Sequence, residues 1–175
     1  AMPEDKLRRM RELFNGCIGT DYGQTEVSTI VTGMGPDEMA FDENLLSAGR
    51  TTPLTGTAII DDRGNHLPPD EMGEIIVSGD LLMKGYYKMP EETAKTIKDG
   101  WLYTGDIGYF DERGYLFIKD RLRDVVISGG FNVYPSDVEN GLCEHPDIYE
   151  CVVFGIADAK WGERVEAAVQ LRDGA

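Results

Sequence analysis

Hydrophobic and polar positions along the chain follow a helical period at the start and a strand period further on. Residues 3–14 place Leu7, Met10 and Phe14 on one face, with acidic residues before basic ones, so this segment is predicted to be an amphipathic helix. Residues 32–50 show no clear period, and their glycines and proline break any regular run, so we expect a surface loop there.

The middle of the chain, residues 50–119, has the pattern of an antiparallel sheet. Short β-prone runs bounded by turn residues occur at 57–60, 73–79, 107–110 and 115–118. The last two runs flank a short turn that ends in glycine, which favours a hairpin. A short helix is expected between the two pairs of runs, from Pro90 to about residue 98.

The pattern changes after residue 119, and we predict a domain boundary near residue 120. A charged connector at 120–124 leads into two short β runs that flank Gly129-Gly130. The chain therefore divides into a longer first part and a shorter second part.

The second part continues with one helix and two strands. Ser136 and Glu139 have the spacing of a capping box, so a helix is expected from residue 137 to about residue 143. Apolar and polar residues then alternate in strands predicted at 148–156 and 163–172. The order strand, strand, helix, strand, strand together with the preceding sheet predicts an α+β fold.

Composition narrows the classes of partner. The hydrophobic share of 41% includes no apolar run of the roughly 18 residues that a membrane span needs, and no apolar signal-peptide core is expected near residues 1–14. A formal net charge of −15 argues against nucleic acid or an anionic membrane as a partner, but a small nucleotide responds mainly to its own pocket. The cysteines Cys17, Cys143 and Cys151 have no CxxC spacing, which fits free thiols and a cytoplasmic location.

The segment YGQTE at 22–26 places an aromatic ring, a hydroxyl and a carboxylate within five residues. The ring can stack on a base, the hydroxyl can donate to a phosphate oxygen, and the carboxylate can hold a hard cation. An ordinary turn before a strand explains the same residues, and on the chemistry alone this simpler explanation is favoured.

Other candidate residues also have two explanations. Asp106, in the sequence TGD, is either a turn residue or an acceptor for both hydroxyls of a ribose. Arg121 and Arg123 lie in the charged connector, whose simpler explanation is a solvated linker. Gly129-Gly130 is either a hairpin turn or a backbone segment that approaches a ligand closely.

Taken in order, four segments resemble successive motifs of the adenylate-forming superfamily, which includes acyl-CoA synthetases, peptide-synthetase adenylation domains and firefly luciferase. The four segments are YGQTE at 22–26, GEIIVSGDLLMKGYY at 73–87, GWLYTGDIGYFDERGYLFIKDR at 100–121 and DVVISGGFNVYPSDVE at 124–139. The resemblance implies that residues 1–119 are the C-terminal part of a large AMP-binding domain, an antiparallel β-barrel-like subdomain. It implies that residues 120–175 are a hinge and the first part of a small α+β C-terminal domain.

The resemblance also implies a role for each candidate residue at a bound nucleotide. Those residues are Tyr22, stacked on adenine, with Gly23 beside it, Thr25 at the α-phosphate, Glu26 on magnesium, and Asp106 on the ribose hydroxyls, helped by Arg121.

Two further roles concern the second half of the reaction. Arg123 corresponds to the hinge about which the small domain rotates between an adenylating and a thioester-forming arrangement. Gly129 and Gly130 would lie on the loop that approaches the thiol on the CoA side. Thr25, Glu26 and Arg123 are the catalytic candidates that follow from this resemblance.

The function implied is that of an ATP-dependent acyl-CoA synthetase of the fatty-acid–CoA ligase type, using ATP, Mg²⁺, CoA and a small carboxylic acid. Attack of a carboxylate on the α-phosphorus brings two anions together, so cations and donors must stabilise the transition state. The sequence SGGFNVYP at 128–135 is more similar to acyl- or aryl-CoA ligases than to peptide synthetases, which favours CoA as acceptor. These motifs do not specify the acyl chain length.

The resemblance places the family's phosphate loop upstream of Tyr22 and its catalytic lysine beyond Ala175. The chain is therefore expected to be a fragment that does not catalyse adenylation alone. One alternative is a noncatalytic binding or assembly fragment that associates with itself. A second alternative is an adenylation domain that loads a carrier protein.

Overall fold

The computed structural model describes residues 4–172 and residue 174. Backbone contacts divide the chain into an N-terminal unit that ends at Ile118 and a C-terminal unit that begins at Lys119. The assignment of residues 1–119 and 120–175 to the two domains of a ligase stays a prediction.

The N-terminal unit is mostly strand. In chain order it contains α1 (Glu4–Leu13), β1 (Thr20–Gln24), a 3₁₀ turn (Thr25–Val27), β2 (Thr29–Met34), α2 (Pro36–Met39), a second 3₁₀ turn (Asp42–Asn44), β3 (Arg50–Thr51), β4 (Gly56–Ile60), β5 (Gly73–Ser78), α3 (Pro90–Thr96), β6 (Ile97–Lys98), β7 (Trp101–Phe110) and the first half of β8 (Leu116–Arg121). Strands β1, β2 and β3 form one antiparallel sheet, and β4, β5, β7 and β6 form a second, in which β8 also pairs with β7.

The C-terminal unit has a single sheet. After the end of β8 it contains a 3₁₀ turn (Leu122–Asp124), β9 (Val126–Ser128), β10 (Phe131–Val133), α4 (Pro135–Cys143), β11 (Ile148–Asp158) and β12 (Gly162–Leu171). The sheet order is β10-β9-β12-β11, with every pair antiparallel. The predicted α+β class and the predicted strand, strand, helix, strand, strand order are confirmed.

The core of the N-terminal unit lies between its sheets. Ile75, Val77, Leu102, Leu116 and Val31 belong to one buried cluster, and each has 0% of its surface exposed. The consecutive apolar run in β5 is buried on both faces, as an uninterrupted run within a central strand predicts. This burial fixes β5 and its partner β7, which carry part of the site described below.

The expectation of a surface loop at residues 32–50 is wrong. The segment forms the end of β2, then α2 and a 3₁₀ turn, and it buries Met39 and Leu45 in a second cluster with Met34 and Tyr115. These elements are only three to six residues long, and each contributes few buried apolar side chains. No period can therefore be seen in the sequence, although Met39 and Leu45 are buried.

The predicted capping box at Ser136 and Glu139 is also wrong. Helix α4 begins at Pro135, two residues before the predicted start, and its N-cap residue Tyr134 makes no side-chain cap. Asp120 Oδ2 accepts the Ser136 N–H at 3.0 Å instead. Proline is favoured at the first helical position because its fixed φ suits a helix and its missing N–H is not needed there. The Ser136 hydroxyl instead donates to the Lys119 carbonyl at 2.8 Å, and Glu139 Oε1 accepts the Val153 N–H at 2.8 Å.

Helix α1 forms where the period predicted it, although residue 3 of that prediction lies outside the described residues. Leu7 packs against the second cluster, whereas Phe14 lies just after the helix and is 58% exposed. The predicted apolar face is therefore only partly buried. Across the described part of the chain, every helix is too short or too polar to traverse a lipid bilayer.

Two adjacent leucines, one inside the second cluster and one outside it, test whether residues 32–50 contribute to the core. Leu45 is 1% exposed and Leu46 is 51% exposed. We expect Leu45→Ala to lower the free energy of unfolding by about 2–5 kcal/mol, because it removes buried surface and leaves a cavity. Leu46→Ala should change it by less than about 0.5 kcal/mol. Urea unfolding of both variants measures this difference, and equal effects would show that the segment is a surface loop after all.

Candidate functional site

Asp106 is the centre of a hydrogen-bonded group in the N-terminal unit. Its Oδ2 atom accepts the Tyr22 hydroxyl at 2.7 Å and the Gln24 side-chain N–H at 2.7 Å. Tyr22 and Gln24 are two residues apart on β1, so they project from the same face of that strand. Gly23 lies between them, where a register shift in the pairing of β1 with β2 marks a bulge. The structure thus brings together three of the predicted nucleotide residues and adds Gln24.

An irregularity in β7 positions Asp106. Glu74 pairs with Ile107 and Ile76 with Tyr103, so only Ile75 of β5 lies opposite the three residues 104–106. The predicted tight turn at TGD is therefore a bulge inside a strand. Such bulges redirect side chains next to active sites because the extra residues leave the regular ladder.

Hydrogen bonds on both sides hold this bulge. The Thr104 hydroxyl donates to the Ile75 carbonyl at 2.6 Å and accepts the Asp106 N–H at 3.1 Å. Gln24 also donates to the Thr104 carbonyl at 3.1 Å, and Glu74 Oε1 accepts the Gly105 N–H at 3.0 Å. Only 5% of Asp106 is exposed, so its carboxylate is placed by fixed partners.

Glu74 is a second acidic group beside this bulge. Burial raises the pKa of Glu74 above its ordinary value, and the Gly105 N–H and the charge of Lys98 oppose that rise. The nearby Asp106 charge adds to it. Glu74 thus stabilises the bulge by accepting the Gly105 N–H. Its negative charge is disfavoured there, because the carboxylate is partly buried and lies near the Asp106 charge.

Thr25 and Glu26 follow Gln24 in the 3₁₀ turn Thr25–Val27. Thr25 is exposed, and Glu26 is partly buried. Glu26 Oε1 accepts the Tyr86 hydroxyl at 2.8 Å, and the Glu26 carbonyl accepts the Met83 N–H at 2.7 Å. The predicted metal ligand is therefore fixed at its side chain and at its backbone.

The carboxylate predicted to bind a magnesium ion is that of Glu26. Among residues 4–172 and 174, no group of three or more His, Cys, Asp or Glu side chains could form a complete metal site. Magnesium that accompanies a nucleotide is held by one or two carboxylates, phosphate oxygens and water, so a single oriented carboxylate fits such an ion. The described residues therefore do not form a magnesium site made of protein ligands alone.

Arg121 and Arg123 lie in the C-terminal unit, at the end of β8 and in the 3₁₀ turn that follows. The Arg121 N–H donates to Asp120 Oδ1 at 3.0 Å. The Arg123 side chain is 78% exposed, and its Nε lies 3.4 Å from Asp124 Oδ1. The turn Leu122–Asp124 is exposed along its whole length.

Gly129 and Gly130 form the two-residue turn of the β9–β10 hairpin, with φ angles of 60° and 85°. Positive φ at both central positions is typical of a type I′ turn, so the simpler explanation of the diglycine is correct for its backbone. A close approach is also present, because a Cβ at Gly129 would lie 2.9 Å from the Trp161 ring. The Gly129 N–H donates to the Trp161 carbonyl at 2.8 Å, and half of Trp161 is exposed.

Sequence reasoning missed Gln24, Glu74, Tyr86 and Trp161. Gln24 was missed because residues 22–26 were interpreted as a turn, whereas the structure places Tyr22 and Gln24 two positions apart on one strand, where they share a face. Glu74 and Tyr86 lie within a motif quoted above, but nothing in that motif distinguishes Tyr86 from its neighbour Tyr87. The contacts of Glu74 with Gly105 and of Tyr86 with Glu26 join segments that are distant in the sequence.

Comparison with known families gives two matches. Residues 1–87 match the family described as AMP-binding enzyme, and residues 137–175 match the family described as AMP-binding enzyme C-terminal domain. The two matches lie in the order that the motifs predicted.

Similar curated proteins are ligases. The medium/long-chain-fatty-acid–CoA ligase FadD8 of Mycobacterium tuberculosis is 43% identical over 88% of this chain and 27% of its own length. A long-chain-fatty-acid–CoA ligase of Bacillus subtilis is 41% identical over 100% of this chain and 31% of its own length. A fatty acid–[acyl-carrier-protein] ligase, ScoC of Streptomyces coeruleorubidus, is 40% identical over 87% of this chain and 30% of its own length. The chain therefore spans about a third of the relatives that it matches.

Solved structures share the fold. The amide bond synthetase McbA from Marinactinospora thermotolerans has a TM-score of 0.89 and 40% identity, over 98% of this chain and 35% of that protein. The o-succinylbenzoate CoA synthetase MenE from Bacillus subtilis, in complex with an acyl-adenylate intermediate, has a TM-score of 0.88 and 36% identity. The match covers 99% of this chain and 35% of that protein. The antiparallel fold described above is thus that of adenylating enzymes.

The charge of Glu74 can be tested by its effect on stability. Because burial raises the pKa of Glu74 in the folded chain, the native protein loses stability as the pH rises from the unfolded pKa, about 4.3, through the raised folded value. Glu74→Gln can still accept the Gly105 N–H but cannot ionise. We expect it to be more stable than the native chain at neutral pH and equally stable below about pH 4.

Denaturant unfolding across this pH range measures the difference. The matched control is Glu112→Gln in the exposed turn after β7, which should show no such gain. A Glu74→Gln variant that is destabilised equally at every pH would contradict the electrostatic explanation.

Proposed function

We propose that this chain, which belongs to the adenylate-forming family of AMP-binding enzymes, is part of an ATP-dependent acyl-CoA synthetase. In this proposal residues 1–119 are the C-terminal part of the large AMP-binding domain, and residues 120–175 are the hinge and the start of the small domain. A cytoplasmic location is part of the proposal, supported by the free cysteines Cys17, Cys143 and Cys151.

The observation that carries the proposal is the fixed carboxylate of Asp106. Tyr22 and Gln24 both donate to its Oδ2 atom, so its orientation is set before any ligand binds. A carboxylate accepts hydrogen bonds from two neighbouring hydroxyls, which matches the 2′ and 3′ hydroxyls of a ribose. The Tyr22 ring beside it offers an aromatic surface for a base.

The adenylation step would take place next to Thr25 and Glu26. The substrate carboxylate attacks the α-phosphorus of ATP, the bond to pyrophosphate breaks, and an acyl-adenylate forms. The exposed Thr25 hydroxyl can donate to the α-phosphate, and Glu26 would hold magnesium, which neutralises phosphate charge. Both residues are held close to Tyr22 by the chain itself.

The second step would transfer the acyl group to CoA. The CoA thiol attacks the acyl carbon, the bond to the phosphate oxygen breaks, and AMP leaves. The exposed turn at Arg123 is suited to a hinge, and the Gly129-Gly130 hairpin with Trp161 would lie on the CoA side after rotation. One pocket could then serve both steps.

Asp106 gives the most direct test of this function. In the full-length ligase that contains this sequence, Asp106→Asn should weaken AMP and ATP binding about 10- to 100-fold, because charge-assisted hydrogen bonds to the ribose are weakened. Calorimetry measures the affinities. The control Asp62→Asn, at an exposed turn, should bind nucleotide normally. Unchanged affinity in Asp106→Asn would overturn the assignment of the ribose site.

A second test concerns the chain alone. The sequence has no Ser/Thr/Gly-rich phosphate loop before Tyr22. We expect the purified 175-residue chain to release no pyrophosphate from ATP and a carboxylic acid, whereas the full-length ligase should do so. Measurable ATP-dependent pyrophosphate release by the chain would contradict this part of the proposal.

A carrier protein is the alternative acceptor. It is favoured by the similarity to ScoC, whose name specifies an acyl-carrier protein. Supplying the full-length ligase with CoA or with a phosphopantetheinyl carrier, and measuring thioester formation with each, separates the two acceptors. Acyl transfer to the carrier alone would overturn the choice of CoA.

A further inference from the structure

A loop between β5 and α3 holds Glu26 from a distant part of the chain. The Met83 N–H donates to the Glu26 carbonyl at 2.7 Å, and the Tyr86 hydroxyl donates to Glu26 Oε1 at 2.8 Å. Tyr86 is 60 residues from Glu26 in the sequence. Two hydrogen bonds from one loop fix both the backbone and the carboxylate of this residue.

The loop is in turn fixed to α3. The Tyr86 N–H donates to the Thr93 hydroxyl oxygen at 2.9 Å, and that hydroxyl donates to the Met89 carbonyl at 2.9 Å. Gly85 has a φ of 142°, and a Cβ there would lie 2.8 Å from Thr93 Cγ2. Only glycine permits this close approach, so the backbone is built to bring the Tyr86 phenol to Glu26.

Tyr86 differs sharply from the tyrosine that follows it. Tyr87 is 85% exposed, and its ring has Lys88 Nζ at 5.3 Å. Tyr86 is partly buried, and its hydroxyl donates to Glu26 Oε1. Tyr86 is therefore the tyrosine that contacts Glu26, whereas Tyr87 faces solvent.

We propose that Tyr86 is a positioning residue that orients the Glu26 carboxylate toward the metal ion of a metal–ATP complex. The inference rests on the proposed function, because it takes Glu26 as the metal ligand. With Oε1 bound to Tyr86, rotation of the carboxylate is restricted, and Oε2 accepts no hydrogen bond from the residues that the structure describes. Removal of a residue that hydrogen-bonds to a metal ligand commonly lowers metal affinity by about 10- to 100-fold.

Tyr86→Phe in the full-length ligase tests the inference, with Tyr87→Phe as the matched control. Calorimetry is carried out with ATP in excess magnesium and with ATP in excess EDTA. Tyr86→Phe should reduce the gain in ATP affinity caused by magnesium by about tenfold and leave the affinity in EDTA unchanged. Tyr87→Phe should change neither affinity.

A second variant guards against misfolding of the first. Thr93→Val keeps the side-chain shape but removes the acceptor for the Tyr86 N–H, so it should reduce the same magnesium-dependent gain to a smaller extent. Equal weakening with magnesium and with EDTA, in either variant, would show a merely structural role and overturn the inference. A normal magnesium response in Tyr86→Phe would also overturn it.

Glu26→Gln separates this inference from the function on which it rests. If Glu26→Gln abolishes the magnesium-dependent gain while Tyr86→Phe retains it, Glu26 is a metal ligand and only the role of Tyr86 is wrong. If Glu26→Gln retains the gain, the proposed metal ligand itself is wrong, and the inference fails with it.

Discussion

The pairing of β5 with β7 is the constraint on which the candidate nucleotide site depends. Ile75 is fully buried, and its carbonyl accepts the Thr104 hydroxyl at 2.6 Å. In a regular ladder, the direction of the Asp106 side chain would be set only by the alternation of side chains between the two faces of β7. Because three residues of β7 lie opposite one residue of β5, the chain instead turns Asp106 toward the donors on β1. The apolar core thus determines where a polar group lies.

The two acidic residues of the site are positioned by the same chemistry. A tyrosine hydroxyl donates to Asp106 at 2.7 Å and another donates to Glu26 at 2.8 Å. In a chain with a net charge of −15, neutral donors can orient a carboxylate without cancelling the charge that a cation needs. Lysine or arginine partners would compete with magnesium for Glu26. The two tyrosine donors are compatible with the proposed ribose role of Asp106 and the proposed metal role of Glu26.

The C-terminal unit is organised differently. Its diglycine hairpin packs a backbone against the Trp161 ring, and its connection through Arg123 is exposed. Rigid strands and an exposed turn are the parts that a rotating domain requires, since a hinge absorbs dihedral changes at few residues. In the proposed two-step reaction, the exposed turn at Arg123 would act as the hinge.

The sequence by itself determined the features that depend on neighbouring residues. The period of apolar positions located α1, β4, β5, the last four residues of β7, β11 and β12, and four ordered motifs indicated the family. Tertiary structure alone decided which residues meet. The contact between Tyr22 and Asp106 joins positions 84 residues apart, and only packing distinguishes Tyr86 from Tyr87. The same reason explains the error at residues 32–50: Met39 and Leu45 belong to a core that their own short elements do not reveal. Local patterns specify local conformation, whereas burial and hydrogen-bond partners depend on segments that are distant in the sequence.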